Sequence, residues 1–232
     1  VFDKPRSYTL NGELRLQSSG FPYHRNSIRS QIGDVIGELQ NDQKEVDFRV
    51  LCMHQLIEGA TIGPSNYMFR HASDVIRVED LPAEFPLILS GHIHRRQLLV
   101  KNGEKRENSQ IVVFSGSTER TSFAEKDEPK GFFEFVIGKK RNIQTHVQDY
   151  KFIELPSRPM IDLTLTASSS RKKLKQQILS SICQFDRNAI VRLKAGEAVN
   201  NDMAKWLSAP FLREIFPDTM NFQLSRNLYI QR

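Results

Sequence analysis

Gly91-His92-Ile93-His94 closes the apolar run Phe85-Pro86-Leu87-Ile88-Leu89-Ser90, and that junction constrains the fold more than any other stretch. The run reads as a short buried strand. Two imidazoles two residues apart, where a strand runs out, can both turn toward one point above a sheet edge. Gly91 lets the backbone bend or approach closely there. A second run, Val46 to Met53, ends on His54 and repeats the arrangement. In open α/β sheets the strand exits line up along one edge, where ligands bind.

Neutral imidazole is the commonest protein ligand for transition metals, so His54, His92 and His94 are candidate metal ligands. Three imidazoles suit one zinc ion with an open position. They equally suit part of a two-metal site that clamps the oxygens of a phosphoester. Arg95 and Arg96 follow directly, and guanidinium forks match phosphate oxygens better than a carbonyl substrate. Taken alone, the arginine pair reads as a solvated loop. His24, His71 and His146 read as surface or packing residues.

The remaining pattern orders the chain. Residues 1–20 suggest short strands turned at Asn11-Gly12. Residues 26–44 carry Ile28, Ile32, Val35, Ile36 and Leu39 at helical spacing, with Asn26 or Ser27 as cap. Residues 57–75 look irregular. Gln97 to Val100 and Ile111 to Phe114 read as strands, with Asn102-Gly103 between them as a turn. Gly131 to Ile137 and Ile143 to Leu155 read as a hairpin with Lys139-Lys140-Arg141 at its turn. Pro156-Ser157-Arg158-Pro159 marks a domain boundary. Beyond it, Met160 to Ala167, a helix from Ser168-Ser169-Ser170 to about Phe185, Ala189 to Leu193, a helical stretch broken near Pro210 and Met220 to Ile230 form a small β-α-β-α-β domain. Arg171, Lys172, Lys173 and Lys175 crowd the first turns of its leading helix. Positive charge there opposes the helix dipole, so helix stability does not explain it.

A chain of 232 residues with formal net charge +6 and 39% apolar residues has the composition of a globular protein suited to an anionic partner. Cys52 and Cys183 lie far apart in apolar runs and read as buried thiols of a cytoplasmic protein. No stretch is long and apolar enough for a membrane span, and no signal peptide is visible.

Several motifs together resemble the SbcD-type DNA repair exonucleases of the calcineurin-like metallophosphoesterases. These are Met53-His54-Gln55, Gly91-His92-Ile93-His94, Val113 through Phe123 with its Gly-Ser-x-Glu-Arg core, Glu125 and Pro129-Lys130-Gly131-Phe132. Gly20-Phe21-Pro22-Tyr23 upstream and Arg158-Pro159-Met160-Ile161 downstream also match in order and spacing. The resemblance implies an α/β fold: a metallophosphoesterase β-sandwich flanked by helices over 1–155, with a small α+β capping domain over 156–232 that helps hold DNA. It implies two divalent ions, typically manganese, with His54 and His92 on one and His94 on the other. It implies DNA and an SMC-like coiled-coil ATPase of the SbcC type as partners, and a dimer. Arg171, Lys172, Lys173 and Lys175 then become phosphate contacts of the cap.

The family draws its remaining ligands from an N-terminal half: Asp-x-His, a Gly-Asp with a bridging carboxylate, and Asn-His-Asp/Glu with the catalytic His. None of these occurs here; Gly33-Asp34 falls inside the amphipathic helix. No catalytic residue is therefore assigned. The chain is expected to be the C-terminal part of a longer nuclease, inactive or nearly so as given. The alternative is a DNA- and ATPase-binding scaffold without a complete metal centre. A small-substrate phosphoesterase fits less well, because of the cap and its basic helix.

Overall fold

A computed structural model describes residues 2–41, 44–70, 72–101, 109–140, 144–196, 201–225 and 228. The Asn102-Gly103 turn, His71 and Arg141 lie outside the described residues. The chain divides into two compact units, Val1–Glu119 with Glu128–Pro156, and Arg120–Asp127 with Ser157–Arg232. The segment Arg120–Asp127 thus groups with the second unit although it lies within the first in sequence.

The first unit is built on a six-stranded mixed sheet. Its strands are β1 (Arg6–Leu10), β2 (Leu16–Gly20), β3 (Phe48–Met53), β8 (Leu87–Ser90), β9 (Gln97–Lys101) and β10 (Gln110–Phe114), in the order β1-β2-β3-β8-β10-β9. The four central strands β2, β3, β8 and β10 run parallel, and the two edges are antiparallel. Successive residues of a strand face opposite sides, and the sequence uses both sides. Leu51, Met53, Ile88, Val112 and Phe114 face one core, where α1 (Ile28–Gln40) buries Ile28, Ile32, Val35, Ile36 and Leu39. Phe48, Leu87 and Val113 face the other, against Phe133, Phe135, Ile137 and Val147 of the hairpin β11 (Gly131–Lys140) and β12 (Gln144–Glu154). Each fully buried side chain of this size contributes about 1.5–3 kcal/mol.

Two local expectations are corrected. Ser27 holds the N-cap position of α1, but at φ 66° and with no side-chain cap bond; its carbonyl receives the Ser30 and Gln31 N–H groups instead. The stretch read as irregular pairs into short ladders: β4 (Leu56–Ile57) with β7 (Val75–Ile76), and β5 (Thr61–Ile62) with β6 (Tyr67–Met68).

The second unit is a parallel sheet of β13 (Met160–Leu165), β14 (Ile190–Ala195) and β15 (Asn221–Leu224). One face packs on α2 (Arg171–Ile182), α3 (Asn201–Trp206) and α4 (Ala209–Arg213), burying Leu165, Leu174, Ile178, Val191, Leu193 and Phe211. Ser170 caps α2 by accepting the Lys173 N–H at 3.3 Å. The helical stretch is interrupted between α3 and α4, just before Pro210, which sits in the first turn of α4, where a missing N–H costs nothing. Asp162 on β13 accepts from Arg192 at 2.6 and 3.0 Å and from Lys194 at 2.8 Å, and Arg192 lies 4.3 Å from the Phe123 ring centre. Cys183 is exposed at the end of α2, not buried, and Cys52 is half-buried. No helix among the described residues is long and apolar enough to cross a membrane.

Candidate functional site

Strands β3 and β8 are parallel neighbours, so His54 and Gly91-His92 leave the sheet side by side. Two cross-links join the exits. The Gly91 N–H donates to Met53 O at 3.0 Å, and the Ser90 hydroxyl joins the Gln55 N–H (3.2 Å) to Gln55 O (2.8 Å). Gly91 is required by close approach: a Cβ there would lie 2.5 Å from His54 Nδ1. The next residue, His92, has φ 74°, and the Ile93 N–H bonds back to Gly91 O at 3.0 Å. That is a γ-turn through the left-handed region, a strained form for a residue with a side chain.

The turn brings His92 to His54, with ring centres 5.2 Å apart and planes at 83°. Tyr23 completes the group. It stacks on His92 at 5.3 Å and 21°, and meets His54 edge-on at 5.7 Å and 87°. Partial burial holds the His92 pKa below the usual histidine value, helped by the neighbouring charges of His54 and His94 and opposed by Asp74. A lowered pKa keeps the imidazole neutral, the form that binds metals. A cavity of about 240 Å³ lined by Phe2, Phe21, Pro22, Tyr23, Cys52, Met53 and His54 opens beside the pair.

The structure brings His54 and His92 together. It does not gather three donors: among the described residues no group of three His, Cys, Asp or Glu side chains is arranged to hold a metal ion. The carbonyl of His94 is bound instead by the Ser117 N–H at 3.2 Å and the Lys130 ammonium at 3.1 Å. The Arg95 guanidinium donates to Glu128 Oε1, Asn66 Oδ1 and Gly63 O at 2.7–2.8 Å. Arg96 is exposed, 4.4 Å from the Phe152 ring centre. On α2, Arg171 lies 4.4 Å from the Phe211 ring centre and Lys175 is 3.8 Å from Glu214, while Lys172 and Lys173 are exposed.

His24 is half-buried, edge-on to Phe21, and His146 lies on β12 opposite Gly138. Tyr23 is the residue that sequence reasoning passed over. Its signal was its place in the Gly20-Phe21-Pro22-Tyr23 stretch.

No family model matches the chain. The chain is similar to the DNA double-strand break repair protein Mre11 of Methanocaldococcus jannaschii, at 27% identity over 174 residues, covering 73% of this chain and 42% of that protein. It is also similar to the protein of the same name from Methanococcus maripaludis, at 28% identity over 137 residues, covering 57% of this chain and 33% of that protein. The chain therefore spans less than half the length of these curated relatives.

Proposed function

We propose that this chain is part of a metal-dependent DNA phosphodiesterase, an exonuclease or endonuclease of double-strand-break repair. The observation that carries the reading is the meeting of His54 and His92 at the exits of two parallel strands, across a strained turn. The relatives named for double-strand break repair, and the nuclease-branch motifs around Ser117 to Phe123, support it. In this reading His54 and His92 ligate one divalent ion and His94 a second, manganese being the ion the resemblance implies. Arg96 and the α2 cations Arg171, Lys172, Lys173 and Lys175 contact DNA phosphates. The partners are DNA, an SMC-like coiled-coil ATPase of the SbcC type and a second copy of the protein.

The described residues do not by themselves fit a two-ion centre. They offer two neighbouring imidazoles and no third donor in the same cluster. Two divalent ions side by side repel strongly unless carboxylates neutralise them. No step of hydrolysis is therefore assigned to these residues.

Manganese-dependent cleavage of a labelled linear duplex by the full-length protein tests the reading, beside His54→Ala, His92→Ala and His94→Ala. Loss of cleavage in the first two is expected. Undiminished cleavage in both overturns the assignment, and undiminished cleavage in His94→Ala removes His94 from the metal site. That no three-donor metal group forms among the described residues supports a second reading, a non-catalytic DNA- and ATPase-binding scaffold. Tight DNA binding without cleavage under any divalent ion would select it.

A further inference from the structure

Lys130 is a charged side chain with no solvent exposure. Burying an ammonium is expensive unless its donors are all matched. Here Nζ donates to His94 O at 3.1 Å and to Ser117 Oγ at 3.0 Å, and the Glu128 carboxylate, 3.6 Å away, supplies an opposite charge. Acceptors approaching from different directions suit the compact ammonium of lysine rather than the planar fork of arginine. Glu128 passes the connection on, its Oε1 accepting from Arg95 Nε at 2.8 Å. Gly116 seals the junction. At φ 80°, a Cβ there would lie 2.7 Å from His94 O and 3.0 Å from Arg96 N. Three loops therefore meet at one buried cation: the turn carrying His92 and His94, the Ser115-Gly116-Ser117 loop and the approach to β11.

We propose that Lys130 is a positioning residue, whose buried ammonium fixes the His94 carbonyl and so holds the strained turn in the shape that seats His92 against His54. What the turn is for rests on the phosphodiesterase reading; how it is held does not. The strain at His92 needs such an anchor, because a residue in the left-handed region relaxes unless its surroundings over-determine it. Lys130 supplies that constraint from the far side of the turn.

The test is Lys130→Met in the chain, read by amide exchange of the Ser117 N–H and by the NMR cross-peak between the His54 and His92 rings. Exchange at Ser117 is expected to quicken by about tenfold or more, since its acceptor, His94 O, is released. The ring cross-peak is expected to weaken, while amides of β14 in the second unit keep their protection. Glu128→Gln should give the same change in smaller measure, and the double variant should be less than additive, because both act through one network. A folded Lys130→Met chain with unchanged Ser117 exchange and an unchanged ring cross-peak overturns the proposal. If Lys130→Met does not fold, Glu128→Gln decides: faster Ser117 exchange supports the proposal and unchanged exchange overturns it. Cleavage of DNA by the full-length protein is scored separately, so failure of the phosphodiesterase reading leaves the exchange result standing.

Discussion

The imidazole of His54 fills the space that a side chain on Gly91 would need, with Nδ1 2.5 Å from the position of a Cβ. One residue's lack of a side chain is thus what lets two strand exits share an imidazole pair. Gly91→Ala is expected to displace His54, to remove the cross-peak between the His54 and His92 rings, and to destabilise the first unit by about 1–3 kcal/mol. Chemical denaturation measures the loss of stability. A variant of unchanged stability with the rings still in contact would show that the strand exits have slack.

Tyr23 holds the other side of the pair, and its hydroxyl is not part of the stacking. Tyr23→Phe should preserve the ring-current shift on His92. Tyr23→Ala should abolish it, at a cost of about 0.5–1.5 kcal/mol for the lost aromatic contacts. Proton NMR of the histidine rings separates the two variants. An equal effect of both would assign the role to the hydroxyl and not to the stacked ring.

Much of this arrangement was legible in the sequence because it is written locally. Val112, Val113 and Phe114 alternate between two cores, and period-two burial is what a strand sandwiched between layers requires. His54 and His92 were legible because each directly follows, or nearly follows, an apolar run. The two-residue strands from Leu56 to Ile76 were not, since two residues carry no period. The bonds of Arg95 were not legible, because its partners, Gly63, Asn66 and Glu128, come from distant loops that no local pattern joins to it. The break near Pro210 was legible because proline disfavours a helix interior and is tolerated in a first turn. The exposure of Cys183 follows from where α2 ends, one turn earlier than the apolar spacing through Phe185 suggested.

The second unit should lose stability in acid through Asp162. Burial works to raise the pKa of this carboxyl, but the hydrogen bonds and charges of Arg192 and Lys194 outweigh it and hold the value below the usual aspartate range. A folded-state pKa below the unfolded one means that the unfolded chain takes up the proton first. The contribution is therefore complete above the unfolded value, about 3.9, and is lost as pH falls through the folded value. Denaturation of wild type and Asp162→Asn across this range should show a difference on the order of 1 kcal/mol near neutrality that closes in acid. A difference independent of pH would mean that the carboxylate's charge contributes nothing.

Lys172 and Lys173 give the sharpest test of DNA contact, because stability and affinity should move in opposite directions. Both are exposed in the first turn of α2, where the helix dipole disfavours positive charge. Replacing them with glutamate should stabilise the helix by about 0.3–1 kcal/mol per residue. The same change should weaken DNA binding. If each lysine neutralises one phosphate, the slope of log affinity against log salt should shrink by roughly 1 per lysine. Thermal denaturation and fluorescence anisotropy over a salt series read the two quantities on one preparation. A more stable protein with a flatter salt dependence would place DNA phosphates at the start of α2, since unfolding could not account for the lost affinity. An unchanged slope in the stabilised variant would remove these lysines from the DNA surface.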